Sequence, residues 1–196
     1  GVAKKSRHAA QTALELCQQV NDQYRIGNAL NGLSSTDPDI AERIHHYQQA
    51  IRAFETAGYL ERQSAATGNL GFTYAVLGLY NHARRLTRKA LDIDRGIGAK
   101  IGMAYWSENL FDTELRMGLI ESAREHLNEM GKLVPDFGDP RMTASFSTNQ
   151  GLMALAEGKT QEAILYFQAG AQIARETELG NENVHLTYLA MAHLKN

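Results

Sequence analysis

Cysteine is almost absent from the chain: Cys17 stands alone among 196 residues, which excludes an internal disulfide framework and an all-cysteine zinc site. No excess charge of one sign is present either. Twenty Lys and Arg oppose 22 Asp and Glu, a formal net charge of −2, so there is no electrostatic case for nucleic acid or an anionic membrane as partner. No apolar run reaches the roughly 18–20 residues needed to cross a bilayer. The opening stretch GVAKKSRHAAQ lacks the apolar core of a secretory signal, so the expected location is cytoplasmic. Proline is scarce, with 3 residues against 17 glycines. That imbalance belongs either to a flexible chain or to many helices that each end on a glycine.

The glycines decide between the two. Gly58, Gly98 and Gly138 are spaced at 40 residues, and so are Gly78, Gly118 and Gly158. Chance placement gives about 0.08 such triples at one period. Independent residues keep the same period: Ala83, Ala123 and Ala163; Ala50 and Ala90, continued by Met130 and Gly170; and Asn69, Asn109 and Asn149. Each 40-residue unit therefore holds two helices. In the best unit AATGNLGFTYAVLG ends at Gly78 and NHARRLTRKALDIDRGI ends at Gly98. Ala83, Leu86, Ala90, Ile93 and Ile97 recur at spacings of three and four, one face of a helix, and Ala123, Leu127, Met130 and Val134 share that phase. No stretch alternates as a strand would.

This register predicts ten helices. Five inner ones cover about 24–35, 61–77, 100–117, 140–157 and 182–194, and five outer ones about 5–20, 39–57, 81–97, 120–134 and 160–179. Pro38 and Pro140 are expected at first helical positions, with Asp37 and Asp139 as N-caps, and Pro135 after a helix end. Residues 1–196 are expected to form one array, a piece of a longer protein, because the initiator methionine is missing and both ends fall inside a repeat.

The segment Asn69-Leu70-Gly71, Tyr74, Leu77-Gly78, Tyr80, Ala83, Ala90-Leu91 resembles the tetratricopeptide repeat signature. Leu110, Gly118 and Ala123 repeat it more weakly, as do Gly151, Gly158, Ala163 and Phe167. Units of 40 residues, longer than the usual 34, are similar to those of kinesin light chain, of the Pins and LGN scaffolds, and of bacterial cyclase-like or ATPase-coupled transcription regulators. The resemblance implies an all-α, right-handed α-solenoid of about five helix-turn-helix repeats. It also implies a protein or peptide ligand held in the concave groove of the inner helices, inside a signalling or transcription regulator. Phe111 departs from the pattern, since it occupies the position of Gly71.

Within that groove the asparagine series is the sharpest signal. Asn is a poor helix-interior residue because its amide competes for backbone hydrogen bonds, yet Asn69, Asn109 and Asn149 share one phase on three inner helices. Three amides, each both donor and acceptor, suit the backbone of an extended peptide, the job such asparagines do in the resembled scaffolds. Hydrogen bonds to neighbouring helices are the alternative. Residues three or four away extend the groove: Phe72 and Val76 beside Asn69, Tyr105, Asp112 and Arg116 beside Asn109, Leu152 beside Asn149. Phe72 and Tyr105 read as apolar anchors or as packing between units. Arg116 reads as a ligand for a carboxylate or as a partner of Asp112 one turn away.

Other residues point elsewhere. His45 and His46 are adjacent on a helix and face different directions, wrong for a shared metal. Cys17 shares the apolar phase of Leu14 and Val20 and reads as a structural thiol. Arg84, Arg85, Arg88 and Lys89 read as a solvated face. No glycine lies in a GxxxxGK loop, so a non-catalytic protein without cofactor or metal is expected. Two further functions remain open: a structural array that self-associates through exposed terminal helices, and a sensor for a small molecule or signalling peptide.

Overall fold

The computed structural model describes residues 2–177, 180 and 182–195, and among these the regular elements are all helical. They are α1 (Val2–Gln19), α2 (Gln23–Thr36), α3 (Ile40–Ala57), α4 (Leu60–Val76), α5 (Tyr80–Ile97), α6 (Lys100–Arg116), α7 (Ile120–Leu133), α8 (Pro140–Ala156), α9 (Thr160–Glu176) and α10 (Glu182–Lys195). The chain divides into two compact units, Gly1–Trp106 and Ser107–Asn196, with the division inside α6.

The glycine ladder ends the helices as its spacing predicts. Gly58, Gly78, Gly98, Gly118, Gly138, Gly158 and Gly180 all have φ between +59° and +77°, a region that costs a residue with a β-carbon about 1–2 kcal/mol. At five of these turns the N–H one residue beyond the glycine donates to a carbonyl five residues back, Tyr59 to Phe54, Leu79 to Tyr74, Ala99 to Asp94, Leu119 to Glu114 and Lys159 to Ala154, at 2.8–3.0 Å. These bonds satisfy carbonyls that a helix end leaves without partners. The α1–α2 turn uses Asn21 instead, at φ +51°, with the Asp22 N–H donating to the Cys17 carbonyl at 3.1 Å. Asparagine tolerates this conformation better than other residues with side chains.

Three starts and stops differ from the sequence reading. Asp37 closes α2, its N–H donating to the Leu33 carbonyl, while its buried carboxylate accepts from Arg7 Nη2 at 3.0 Å and from the Asp39 N–H at 3.1 Å. Asp39 is therefore the N-cap of α3, accepting from the Ala41 N–H at 2.8 Å, and Pro38 lies in the link and not at a first helical position. Pro140 does hold that position, with Asp139 as cap. Pro135 sits inside a single 3-10 turn, Val134–Phe137, that prolongs α7. Helix α9 stops at Glu176 rather than 179, where Thr177 turns both its N–H and its hydroxyl onto the Ile173 carbonyl; residues 178 and 179 lie outside the described residues.

Small residues at the repeat period let helices touch. Ala83, Ala123 and Ala163 have no exposed surface, nor do Ala50 and Ala90. In the first unit Phe54 of α3 fills the space beside Gly27 of α2, where a β-carbon would lie 2.6 Å from the ring; burying such a ring contributes about 1.5–3 kcal/mol relative to exposure. Cys17 is half-buried against this core, whereas Val20 and Ile97, assigned to apolar faces by spacing, are exposed because they lie at helix ends. Phe111 is fully buried and packs with Ala123, Leu127 and Met153, so the large residue at this repeat position keeps its place in the second core.

A buried polar group also holds the first unit together. Trp106 Nε1 of α6 donates to Asp94 Oδ2 of α5 at 2.8 Å and to Ser64 Oγ of α4 at 3.1 Å, and Ser64 Oγ donates to the Ala90 carbonyl at 3.0 Å. Burial pushes the Asp94 carboxyl above the usual range; the Ser64 and Trp106 hydrogen bonds pull it down, and the charge of Glu61 raises it further.

Candidate partner-binding face

In the first unit α4 buries Ser64, Thr67, Gly68, Leu70, Gly71 and Thr73. The opposite stripe, Ala65, Asn69, Phe72 and Val76 at steps of three and four, is left outward. Phe72 is 54% exposed and Val76 66%. Close approach of α5 forces this orientation, because a β-carbon at Gly71 would lie 2.6 Å from Thr87 Oγ1 and 3.2 Å from the Ala83 carbonyl. Asn69 is half-buried, and its carbonyl accepts from the Thr73 hydroxyl at 2.9 Å.

The part of α6 belonging to this unit presents Ile101, 69% exposed, and Tyr105, 49% exposed, one turn apart. The Tyr105 ring meets Trp106 edge-on, with centroids 4.8 Å apart. Trp106 itself fills the gap above Gly68, so the inward partner of the pair anchors the helix while Tyr105 stays outward. The sequence places Phe72, Val76 and Tyr105 on this outward phase, and all three are exposed, as is Ile101, which it did not include. The signal was there: extending the phase of Asn109 by two turns reaches position 101.

In the second unit the residues at corresponding positions are polar or covered. Arg116 Nε donates to Asp112 Oδ2 at 2.8 Å, the internal pairing that their one-turn spacing allowed. Asn109 is half-buried. Asn149 is only 7% exposed; its amide donates to Glu108 Oε1 at 3.4 Å and lies 4.0 Å from the Met130 sulfur. Glu108 also accepts from the Ser145 hydroxyl. Asn149 thus makes the contacts to neighbouring helices that were the alternative reading of the series. Leu152 is half-buried and packs against the cluster around Phe167.

A second buried polar group was not anticipated. His126 of α7 has Nε2 3.5 Å from Glu114 Oε2 of α6 and Nδ1 3.7 Å from Glu129 Oε2, and Ser107 donates to Glu129 at 3.1 Å. Spacing on a single helix links only His126 and Glu129; Glu114 arrives from another helix, which no local pattern announces. His45 and His46 diverge, with ring centroids 6.4 Å apart and His46 turned towards Asp37. Among the described residues no group of three His, Cys, Asp or Glu is placed to hold a metal ion, and no helix is long and apolar enough to cross a membrane.

No family model and no curated protein matches the chain. Solved structures do match along almost its whole length. BtubC from P. vanneervenii superposes with a TM-score of 0.79 at 15% identity, covering 98% of this chain and 85% of that one. Aspartyl phosphate phosphatase F from Bacillus subtilis gives 0.72 at 14% identity over 97% of this chain, which spans 55% of the phosphatase. The nearly identical TPR-like repeats of a kinesin-light-chain-like protein of P. anserina give 0.67 at 15% identity, covering 90% and 93%. The fold is therefore the all-α, TPR-like helical-repeat solenoid.

Proposed function

We propose that the chain is a non-catalytic protein-interaction module of a cytoplasmic signalling or transcription regulator, and that it binds a peptide segment or helix of a partner on the outward face of α4 and the start of α6. The observation that carries this reading is that four of the large apolar side chains exposed in the first unit, Phe72, Val76, Ile101 and Tyr105, share one repeat phase on helices whose other faces are packed. Exposed apolar residues scattered singly are ordinary; a group sharing one helical phase marks an interaction surface. Aromatic anchors with half-buried amides nearby supply apolar area and adaptable hydrogen bonding together. Asn69 serves as the amide in this unit, and Asn109, Asp112, Arg116 and Leu152 offer a more polar face on the second, where Asn149 is instead turned inward to Glu108.

The test is selection of peptides from a random display library on the whole chain, followed by hydrogen exchange with and without the selected peptide. Protection on α4 and on the first turns of α6 supports the assignment. Protection confined to odd-numbered helices overturns it.

A second reading, self-association through terminal helices, has its own observation: Leu16 and Val20 near the end of α1 and Val184, Met191 and Leu194 on α10 are exposed. Light scattering decides it, since a monomer at high concentration contradicts this reading and leaves the first untouched.

A further inference from the structure

His185 is the one buried histidine outside the His126 cluster among the described residues, 2% exposed in α10. Its Nδ1 lies 2.6 Å from Thr148 Oγ1 of α8, and its Nε2 is buried with no hydrogen-bond partner. The ring sits over Gly170 of α9: a β-carbon there would lie 3.0 Å from Nδ1 and 3.2 Å from the Ala144 carbonyl. Position 170 continues the series Ala50, Ala90 and Met130, so glycine replaces a larger residue at the place where the imidazole is seated. Tyr188, one turn on, stacks on Phe167 with centroids 5.6 Å apart and an interplanar angle of 19°, and Ala192, fully buried, closes the same cluster.

We propose that His185 is an acid-sensitive latch that holds α10 against α8 and α9 and releases it when the imidazole is protonated. A neutral ring fits the site in either tautomer, because Thr148 Oγ1 can donate to Nδ1 or accept from it. An imidazolium carries a hydrogen on both nitrogens, and the one on Nε2 would be buried without an acceptor, which is costly. Among the described side chains no neighbouring charge compensates. The charged residues of α8 and α9 are Arg141, Glu162, Arg175 and Glu176, all exposed, with Arg141 paired to Asp139; on α10 the described titratable groups are Tyr188, half-buried, and His193, exposed. Burial accordingly holds His185 below its ordinary value of 6.5.

The direction follows from linkage. The docked state binds the proton more weakly than the released state, so docking is at full strength above 6.5 and weakens as pH falls from there towards the depressed value. Each pH unit in that window shifts the equilibrium by up to about tenfold. Release uncovers Phe167 and the cluster that also contains Leu152, one of the residues expected to face a partner, so acidification would alter the second unit's partner-facing surface.

Hydrogen exchange of the whole chain at pH 7.5 and 5.5, corrected for intrinsic rates, tests this. Protection of α10 relative to α4 should fall up to about tenfold at the lower pH. The variant His185→Asn, which keeps a polar atom near Thr148 and cannot protonate, should show no such fall. Equal protection at both pH values in the wild type, or the same fall in His185→Asn, would overturn the proposal. Should the variant fail to dock α10, titration of the wild-type imidazole by NMR decides alone: a midpoint below 6.5 coupled to changes in the Tyr188 and Phe167 ring signals supports the latch, and a midpoint at or above 6.5 contradicts it.

Discussion

Gly151 of α8 and Phe167 of α9 share one space: a β-carbon on the glycine would lie 2.5 Å from the ring. The same two repeat positions hold Gly71 with Thr87 and Phe111 with Leu127, so in two units a glycine makes room for the residue opposite, while Phe111 and Leu127 pack together in one cluster. Overfilling a packed interior typically costs about 1–3 kcal/mol. Gly151→Ala should therefore lower stability by about that amount in urea unfolding, and adding Phe167→Leu should recover part of the loss. Additive losses from the two changes would show that they do not compete for space.

The glycine turns carry a different cost. Nothing lies within 4 Å of a β-carbon at Gly118, whose φ is +73°. Gly118→Ala should destabilise by about 1–2 kcal/mol through the backbone alone, while Asn21→Gly, at a turn already in the same conformation, should be neutral or slightly stabilising. A thermal unfolding series on these two variants checks the contrast, and a neutral Gly118→Ala would refute the turn geometry.

The asparagine series should split. Asn149 is buried and donates to Glu108, so Asn149→Ala should cost about 1–2 kcal/mol by leaving that carboxylate less satisfied. Asn69→Ala, on the outward stripe, should stay within about 0.5 kcal/mol. Denaturation midpoints that move equally would mean that the two amides have the same role.

Stability should also report the buried carboxyl of Asp94. Its folded value is raised above the ordinary 3.8 by burial, so the folded state holds this proton more tightly than the unfolded state. The favourable contribution is complete below 3.8 and is lost as pH rises through the raised value. Asp94→Asn cannot ionise. Its stability relative to the wild type should therefore increase with pH above 3.8 and then level off, measured by urea unfolding at several pH values; a difference that shrinks with pH would reverse the assignment.

What could be read from the sequence was whatever repeats along it. Glycines at 40-residue spacing specified the turns, and alanines at the same spacing specified helix contacts, because backbone conformation and close approach each demand one residue type. Phe72, Val76 and Tyr105 were legible for the same reason, as members of one helical phase. Asp94 with Trp106, His126 with Glu114, and His185 with Thr148 were not. Each pairs residues from different helices, and each occurs once, so neither periodicity nor local spacing signals it. Asn149 shows the limit within a repeat series: its phase matches Asn69, but Glu108 on the neighbouring helix draws its amide inward.

The most direct measurement of the central claim is the affinity of a display-selected peptide for the whole chain and for the double variant Phe72→Ser, Tyr105→Ser. Leu165→Ser, at an exposed apolar residue of α9, is the control. Loss of two aromatic anchors should weaken binding by at least about tenfold, with the fold retained because both side chains are about half exposed, and the control should bind as the wild type does. Equal affinity for the double variant and the wild type would contradict the assignment of this face to partner binding.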